Sequence, residues 1–192
     1  MKLFIKHMVC DRCKRVVRQE LEALGIQVNR VTLGEADVEM LPKGVTLQHV
    51  RQVLEANGFD LLDDRRSIVI EQVKTSIINE IHHDRRERPV HQNLSEYLSQ
   101  KTGYDYSYLS HLFSTSEGIT IEKFVIAQKI EKVKEYLNYD ELTLSEIAWR
   151  LGYSSSQHLS NQFRQVVGMT PGQFRKEAGS QRVALDVVGK PK

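Results

Sequence analysis

The sequence predicts an α+β chain: a small βαββαβ domain, then an all-α domain with two helix-turn-helix units joined by a long helix. Three observations carry that expectation. Residues 2–63 switch between the period-two alternation of strands and the 3.6-residue spacing of helices. Residues 94–124 recur, shifted by 50 positions, as residues 144–174. Between the copies, Thr120 to Leu137 has one apolar stripe and an otherwise charged surface, the pattern of an amphipathic helix.

In the first part, "KLFIKHM" alternates Leu3, Ile5 and His7 against Phe4 and Lys6, a strand. "CKRVVRQELEAL" sets Val16, Val17, Leu21 and Leu24 on one helical face and stops at Gly25. "QVNRVTL" and "ADVEML" flank Gly34-Glu35, a hairpin. "TLQHVRQVLEANG" puts Leu47, Val50, Val53 and Leu54 at helical spacing, and "FDLLD" is a last short strand. The order βαββαβ is the ferredoxin-like plan.

The second part begins with "DDRRSIVIEQVKTSIINEIHH", which follows the last strand with no Gly/Pro linker. Ile68, Ile70, Val73, Ile77, Ile78 and Ile81 are too many apolar residues for a lone exposed helix; they are expected to pack on the helical domain, and some on a partner chain, which leaves room for a homodimer. Then Leu94-Ser95-Glu96, Leu109-Ser110, Phe113, Gly118, Thr120 and Phe124 fall on Leu144-Ser145-Glu146, Leu159-Ser160, Phe163, Gly168, Thr170 and Phe174. Each copy reads as helix, glycine turn, helix. Thr143 with Glu146 makes a capping box, Gly152 suits a left-handed helix end, and Asn93 caps the first copy. In a helix-turn-helix the second helix enters the DNA major groove. The eighteen residues between the copies give ~27 Å of helix, a strut able to hold two such helices about one DNA turn, ~34 Å, apart. Trp149 and Tyr153 are expected in the core of the second unit, and residues 179–192 lack any pattern and suggest a frayed tail. The expected organisation is 1–64, a connecting helix and linker over 65–92, a helical domain 93–178, and the tail 179–192.

Residues 94–176, above all "LTLSEIAWRLGYSSSQHLSNQFRQVVGMTPGQFR", closely resemble the DNA-binding domain of AraC/XylS-type bacterial transcription regulators. The resemblance implies seven helices and double-stranded promoter DNA as partner. It places Ser107, Tyr108, Ser110 and His111 on the first recognition helix, and Ser155, Ser156, Gln157, Ser160 and Asn161 on the second. Gln and Asn pair with adenine edges and Ser with several bases, while Arg164 is expected on phosphate. His111 and Asn161 stand where the family often has Arg, which turns readout toward A·T contacts or DNA shape.

"KHMVCDRC" holds both cysteines of the chain, Cys10 and Cys13, at the first strand–helix junction. A helix N-terminus and the neighbours Arg12, Lys14 and Arg15 favour thiolate, the form that binds metal. Two soft sulfurs suit Cu(I), with Zn(II) or another thiophilic ion as the alternative. Met8-Val9-Cys10-Asp11-Arg12-Cys13 matches the M-x-C-x-x-C of heavy-metal-associated domains of copper chaperones and pumps, which residues 2–63 resemble. That resemblance assigns metal to Cys10 and Cys13, turns Met8 inward, and sets Phe59 near the loop; His7 and Met8 are the auxiliary candidates. His7 replaces the family's common Gly. The same cysteines serve equally as a redox switch, and the domain as a dimerisation or non-metal effector module.

Composition narrows the classes further. Of 192 residues, 40% are hydrophobic and 27% charged, a globular balance. No apolar run suits a membrane span and no signal peptide is read, so a cytoplasmic protein is expected. The net charge is +2, positive beyond residue 64 and slightly negative before it. No phosphate loop, nucleophile triad or paired-carboxylate motif appears, so no catalytic residue is assigned and the chain reads as a regulator rather than an enzyme; a DNA-tethered metal chaperone is the other reading. His82-His83-Asp84 reads as solvated linker, and His158 as DNA-facing.

Overall fold

The computed structural model describes residues 1–83, 88–89, 92–139, 141–176, 185–186 and 188. The chain divides into two compact units, Met1–Asn79 with Arg85–Leu112, and Glu80–Asp84 with Phe113–Lys192.

In the first unit, β1 (Lys2–Lys6), α1 (Asp11–Ala23), β2 (Val28–Thr32), β3 (Glu35–Val38), α2 (Leu47–Ala56) and β4 (Asp60–Leu62) follow in the expected order. The sheet runs β2-β3-β1-β4, every neighbouring pair antiparallel. Alternation decides the faces. Leu3 and Ile5 of β1 and Ala36 and Val38 of β3 are buried with Val17 and Leu21 of α1 and Val50 and Leu54 of α2. Leu47, expected on the buried stripe of α2, is half exposed; it is the first residue of the helix, inside the Thr46–His49 capping box.

The other face of the sheet meets α3 (Arg65–His82), one continuous helix where a connecting helix is expected. Nine of its residues are buried, Glu71, Lys74, Thr75 and Ser76 among them. Hydroxyls buried in a helix must find acceptors; Thr75 Oγ1 donates to the Glu71 carbonyl at 2.8 Å and Ser76 Oγ to that of Gln72 at 2.6 Å. Gly34, in the β2–β3 turn at φ +81°, lies against Thr75, and a Cβ there would stand 3.1 Å from Thr75 Cγ2. Gly44 has φ +90° but nothing within 4 Å. Gly34→Ala should therefore cost about 2 kcal/mol, against about 1 for Gly44→Ala, whose cost is backbone strain alone. Urea midpoints of the two variants measure the difference.

Beyond α3 come α4 (Leu94–Thr102), α5 (Tyr106–Glu117), α6 (Ile121–Tyr139), α7 (Leu144–Arg150), α8 (Ser156–Val167) and α9 (Pro171–Lys176). Among the described residues six helices, α4–α9, fall within 94–176, where the resemblance implies seven. The repeat appears atom by atom. Asn93 Oδ1 accepts from Glu96 N at 2.8 Å, and Thr143 Oγ1 from Glu146 N at 3.3 Å. Thr120 and Thr170 cap α6 and α9 in the same way, at 3.2 Å each. Phe113 meets Phe124 edge-on at 5.5 Å, and Phe163 meets Phe174 edge-on at 5.5 Å, the same pair 50 residues later.

Four expectations change in the second part. Trp149 is 81% exposed rather than core, because Ile147, Ala148 and Leu151 already fill the buried side of α7. Tyr153 is half-buried; its hydroxyl donates to Gln162 Oε1 at 2.7 Å, and burial pushes the phenol up to about 12. His82 is not solvated linker: its Nε2 lies 3.0 Å from Gln128 Oε1, and Gln128 is wholly buried. Gln128 Nε2 donates to the Leu185 carbonyl at 2.9 Å, which leaves Oε1 as acceptor and puts the His82 proton on Nε2. The Leu185 carbonyl thus accepts a hydrogen bond and Val188 is buried, both inside the stretch expected to fray; the rest of that tail, like Asp84, lies outside the described residues.

Burial holds His82 down to about 4, with Lys132 pressing the same way. A neutral buried histidine binds its proton more weakly folded than unfolded, so stability is complete above the ordinary value of 6.5 and falls as pH drops toward 4. The loss should reach about 2–3 kcal/mol near pH 4. Denaturation at pH 7.5 and 5 should show this slope in the wild type and a flatter one in His82→Gln.

Candidate nucleic-acid interface and cysteine loop

Helix α8 sorts its residues by face. Leu159 and Phe163 are wholly buried, and Gln157, Asn161 and Arg164, at i, i+4 and i+7, are exposed on the opposite side. Gln157 Nε2 donates to Asn161 Oδ1 at 3.0 Å, which sets two amides side by side. The serines are partly spent. Ser155 Oγ caps α8 by accepting from His158 N at 3.0 Å, and Ser160 Oγ donates back to the Ser156 carbonyl at 2.8 Å. Ser156 is half-buried. Gln157, Asn161 and Arg164 are therefore the foremost of the predicted set, with Ser155 Oγ at the helix start. His158 is held to the turn, its Nδ1 3.1 Å from Ser154 Oγ and its ring edge-on to Tyr153.

On α5, Ser107 and His111 are exposed at i and i+4, Ser110 is half-buried, and Leu109 and Phe113 are buried opposite. Tyr108 is 42% exposed and stacks on Tyr104 of the preceding turn at 5.1 Å, on the flank of that face rather than at its centre. Sequence reasoning missed the exposed Trp149. The signal was present: four apolar residues in a seven-residue helix exceed what one face can bury.

At the N-terminal end, Cys10 is the residue before α1, in extended conformation, and Cys13 lies in its first turn. Their sulfurs are 3.4 Å apart, both half-exposed and reduced; a disulfide would need about 2.05 Å. The basic neighbours do less than expected. Lys14 pairs with Asp11 in the same turn, and burial pushes the Cys13 thiol up, opposed only in part by the Val9 backbone. Met8 is wholly buried and Phe59 nearly so. His7 carries a left-handed backbone, φ 70°, where glycine is the easy residue. Its Nε2 faces Asp60 Oδ2 at 3.3 Å, which turns it toward β4. Among the described residues no group of three or more His, Cys, Asp and Glu side chains could hold a metal. The pair therefore suits a soft ion satisfied by two sulfurs, and the described residues supply no further ligands for a four-coordinate zinc.

Residues 98–177 match the family model described as a helix-turn-helix domain. The chain is 26% identical over 121 residues to YtdP, an HTH-type transcriptional regulator of Bacillus subtilis, covering 63% of this chain and 15% of that protein. It is 33% identical over 82 residues to YdiP, an HTH-type transcriptional regulator of Escherichia coli, covering 43% and 27%. The chain thus spans under a third of the length of these relatives. The C-terminal domain of AraT, a response regulator from Geobacillus stearothermophilus, is similar at TM-score 0.49 and 24% identity, over 62% of this chain and 94% of that one. The C-terminal part of the chain carries a helix-turn-helix domain. No helix among the described residues is long and apolar enough to cross a membrane.

Proposed function

We propose that the chain is a sequence-specific, DNA-binding transcription regulator of AraC type, whose ferredoxin-like N-terminal domain takes a thiophilic ion, Cu(I) foremost, on Cys10 and Cys13. The observation that carries the DNA reading is the two-faced α8. Its buried Leu159 and Phe163 fix the helix, and its exposed Gln157, Asn161 and Arg164 are free of packing duty. Gln157 and Asn161 would read adenine edges in the major groove, and Arg164 would hold phosphate. Ser107 and His111 would do the same work on α5. The βαββαβ order and the strand order β2-β3-β1-β4 support the ferredoxin-like reading.

The ion would be the signal. Two thiolates would hold it, and because burial favours the Cys13 thiol, loading would release protons and weaken as pH falls. Helix α3 runs from β4 to His82 without a break, a path by which a change in the first domain could bias DNA binding. A coupling of about 1–3 kcal/mol would suffice.

The DNA reading is tested with duplex selected from a random library. Asn161→Ala should weaken binding to the selected duplex by about 10–100-fold, and scrambled duplex far less. Arg164→Ala should weaken both together and lower the salt slope by about one. Equal loss on both duplexes for Asn161→Ala would remove it from the reading set.

A further inference from the structure

A second concave surface lies in the first unit, away from the cysteine loop. It is a cleft of about 550 Å3 on the sheet face opposite α1 and α2, roofed by α3 and by Lys101 of α4. Its volume is that of a small-molecule site, ~300–1,000 Å3. Its walls are polar where such sites are usually apolar, which selects for a polar ligand. Phe4 and Leu33 give it a small apolar floor.

Charge sets the sign of that ligand. Three cations, Lys2, Arg30 and Lys101, line the cleft with two carboxylates, Glu35 and Asp37. Lys2 Nζ lies 2.9 Å from Glu35 Oε1, so that pair cancels, and Asp37 stands opposite Arg30 in the β2–β3 register, which leaves the lining one positive charge in excess. Arg30 is exposed on β2, and its guanidinium fork matches a carboxylate or phosphate with two parallel hydrogen bonds. Across the cleft, the Gln72 and Asn79 amides of α3 offer N–H donors.

We propose that this cleft binds a small organic or inorganic anion, a carboxylate or a phosphate, between Arg30 on the sheet and the amides of α3. A ligand there bridges the sheet and α3, the element that continues into the second unit. The cleft shares no residue with Cys10 and Cys13, so the site would act whether or not the loop takes a metal, and it owes nothing to the DNA reading.

The test is calorimetric titration of the full chain with citrate, inorganic phosphate and, as a neutral control, glucose. Citrate or phosphate should bind saturably and glucose should not; whichever anion binds tighter identifies the source chemistry. Arg30→Ala should weaken that binding at least about tenfold and Asn79→Ala severalfold, while Cys10→Ser/Cys13→Ser should leave it unchanged. Failure of both anions to bind below about 10 mM, or binding that Arg30→Ala leaves intact, overturns the proposal.

Discussion

Phe163→Ala should abolish binding to a selected duplex and lower the stability of the second unit by about 3–5 kcal/mol. The side chain is wholly buried among Leu159, Ile147, Leu151 and Phe174. Its removal forfeits burial, leaves a cavity, and deletes the edge-to-face contact with Phe174. That loss is a large share of the ~5–15 kcal/mol that holds a domain. The same contact repeats at Phe113 and Phe124, so Phe113→Ala is the natural companion. Thermal denaturation followed by circular dichroism reads both. Trp149→Ala is the contrasting case: an 81% exposed side chain should cost less than about 0.5 kcal/mol. A large loss there would contradict the packing described for α7.

Cys10→Ser/Cys13→Ser should remove tight binding of Cu(I), with affinity falling by more than about 1,000-fold, because both soft sulfurs become hard hydroxyls. The fold should persist, since neither cysteine belongs to the buried core. Met8→Leu should leave affinity nearly unchanged, because Met8 is buried packing. Competition against a chelator under anaerobic, reducing conditions measures all three. With Zn(II) the wild type should bind weakly unless a second copy adds ligands, since two sulfurs fill half a tetrahedron. Failure of the wild type to bind any thiophilic ion would end the sensor reading and leave the redox, dimerisation and effector-domain alternatives.

Much of the architecture was legible because its signals are local. Alternation in "KLFIKHM", the Asn93 and Thr143 caps, and the glycine turns each act over a few residues, and the structure keeps them. The repeat was legible in a stronger sense, since matched phenylalanines became matched contacts. Long-range packing was not legible. Nothing local to His82 says that a glutamine 46 positions on will take its proton donor. Nothing in "RRSIVIEQVKTSIINEIH" says that Thr75 and Ser76 face the sheet, because polar residues in a helix are read as solvent-facing until their acceptors are seen. The interface was read as a set of positions. Side-chain bonds then thinned it, since Ser160 turned to its own backbone and Tyr108 to Tyr104. At the cysteine loop the residue types were plain in sequence. The balance between helix dipole and burial was not, and burial carries the Cys13 thiol upward.

The central claim, that α5 and α8 read DNA sequence, is tested most directly by one measurement. The full chain is equilibrated with a duplex enriched from a randomised library and, separately, with the same duplex scrambled, at one fixed physiological salt concentration. The account predicts a preference for the enriched duplex of at least about 1,000-fold. Equal affinity for the two, or no binding to either, would contradict it.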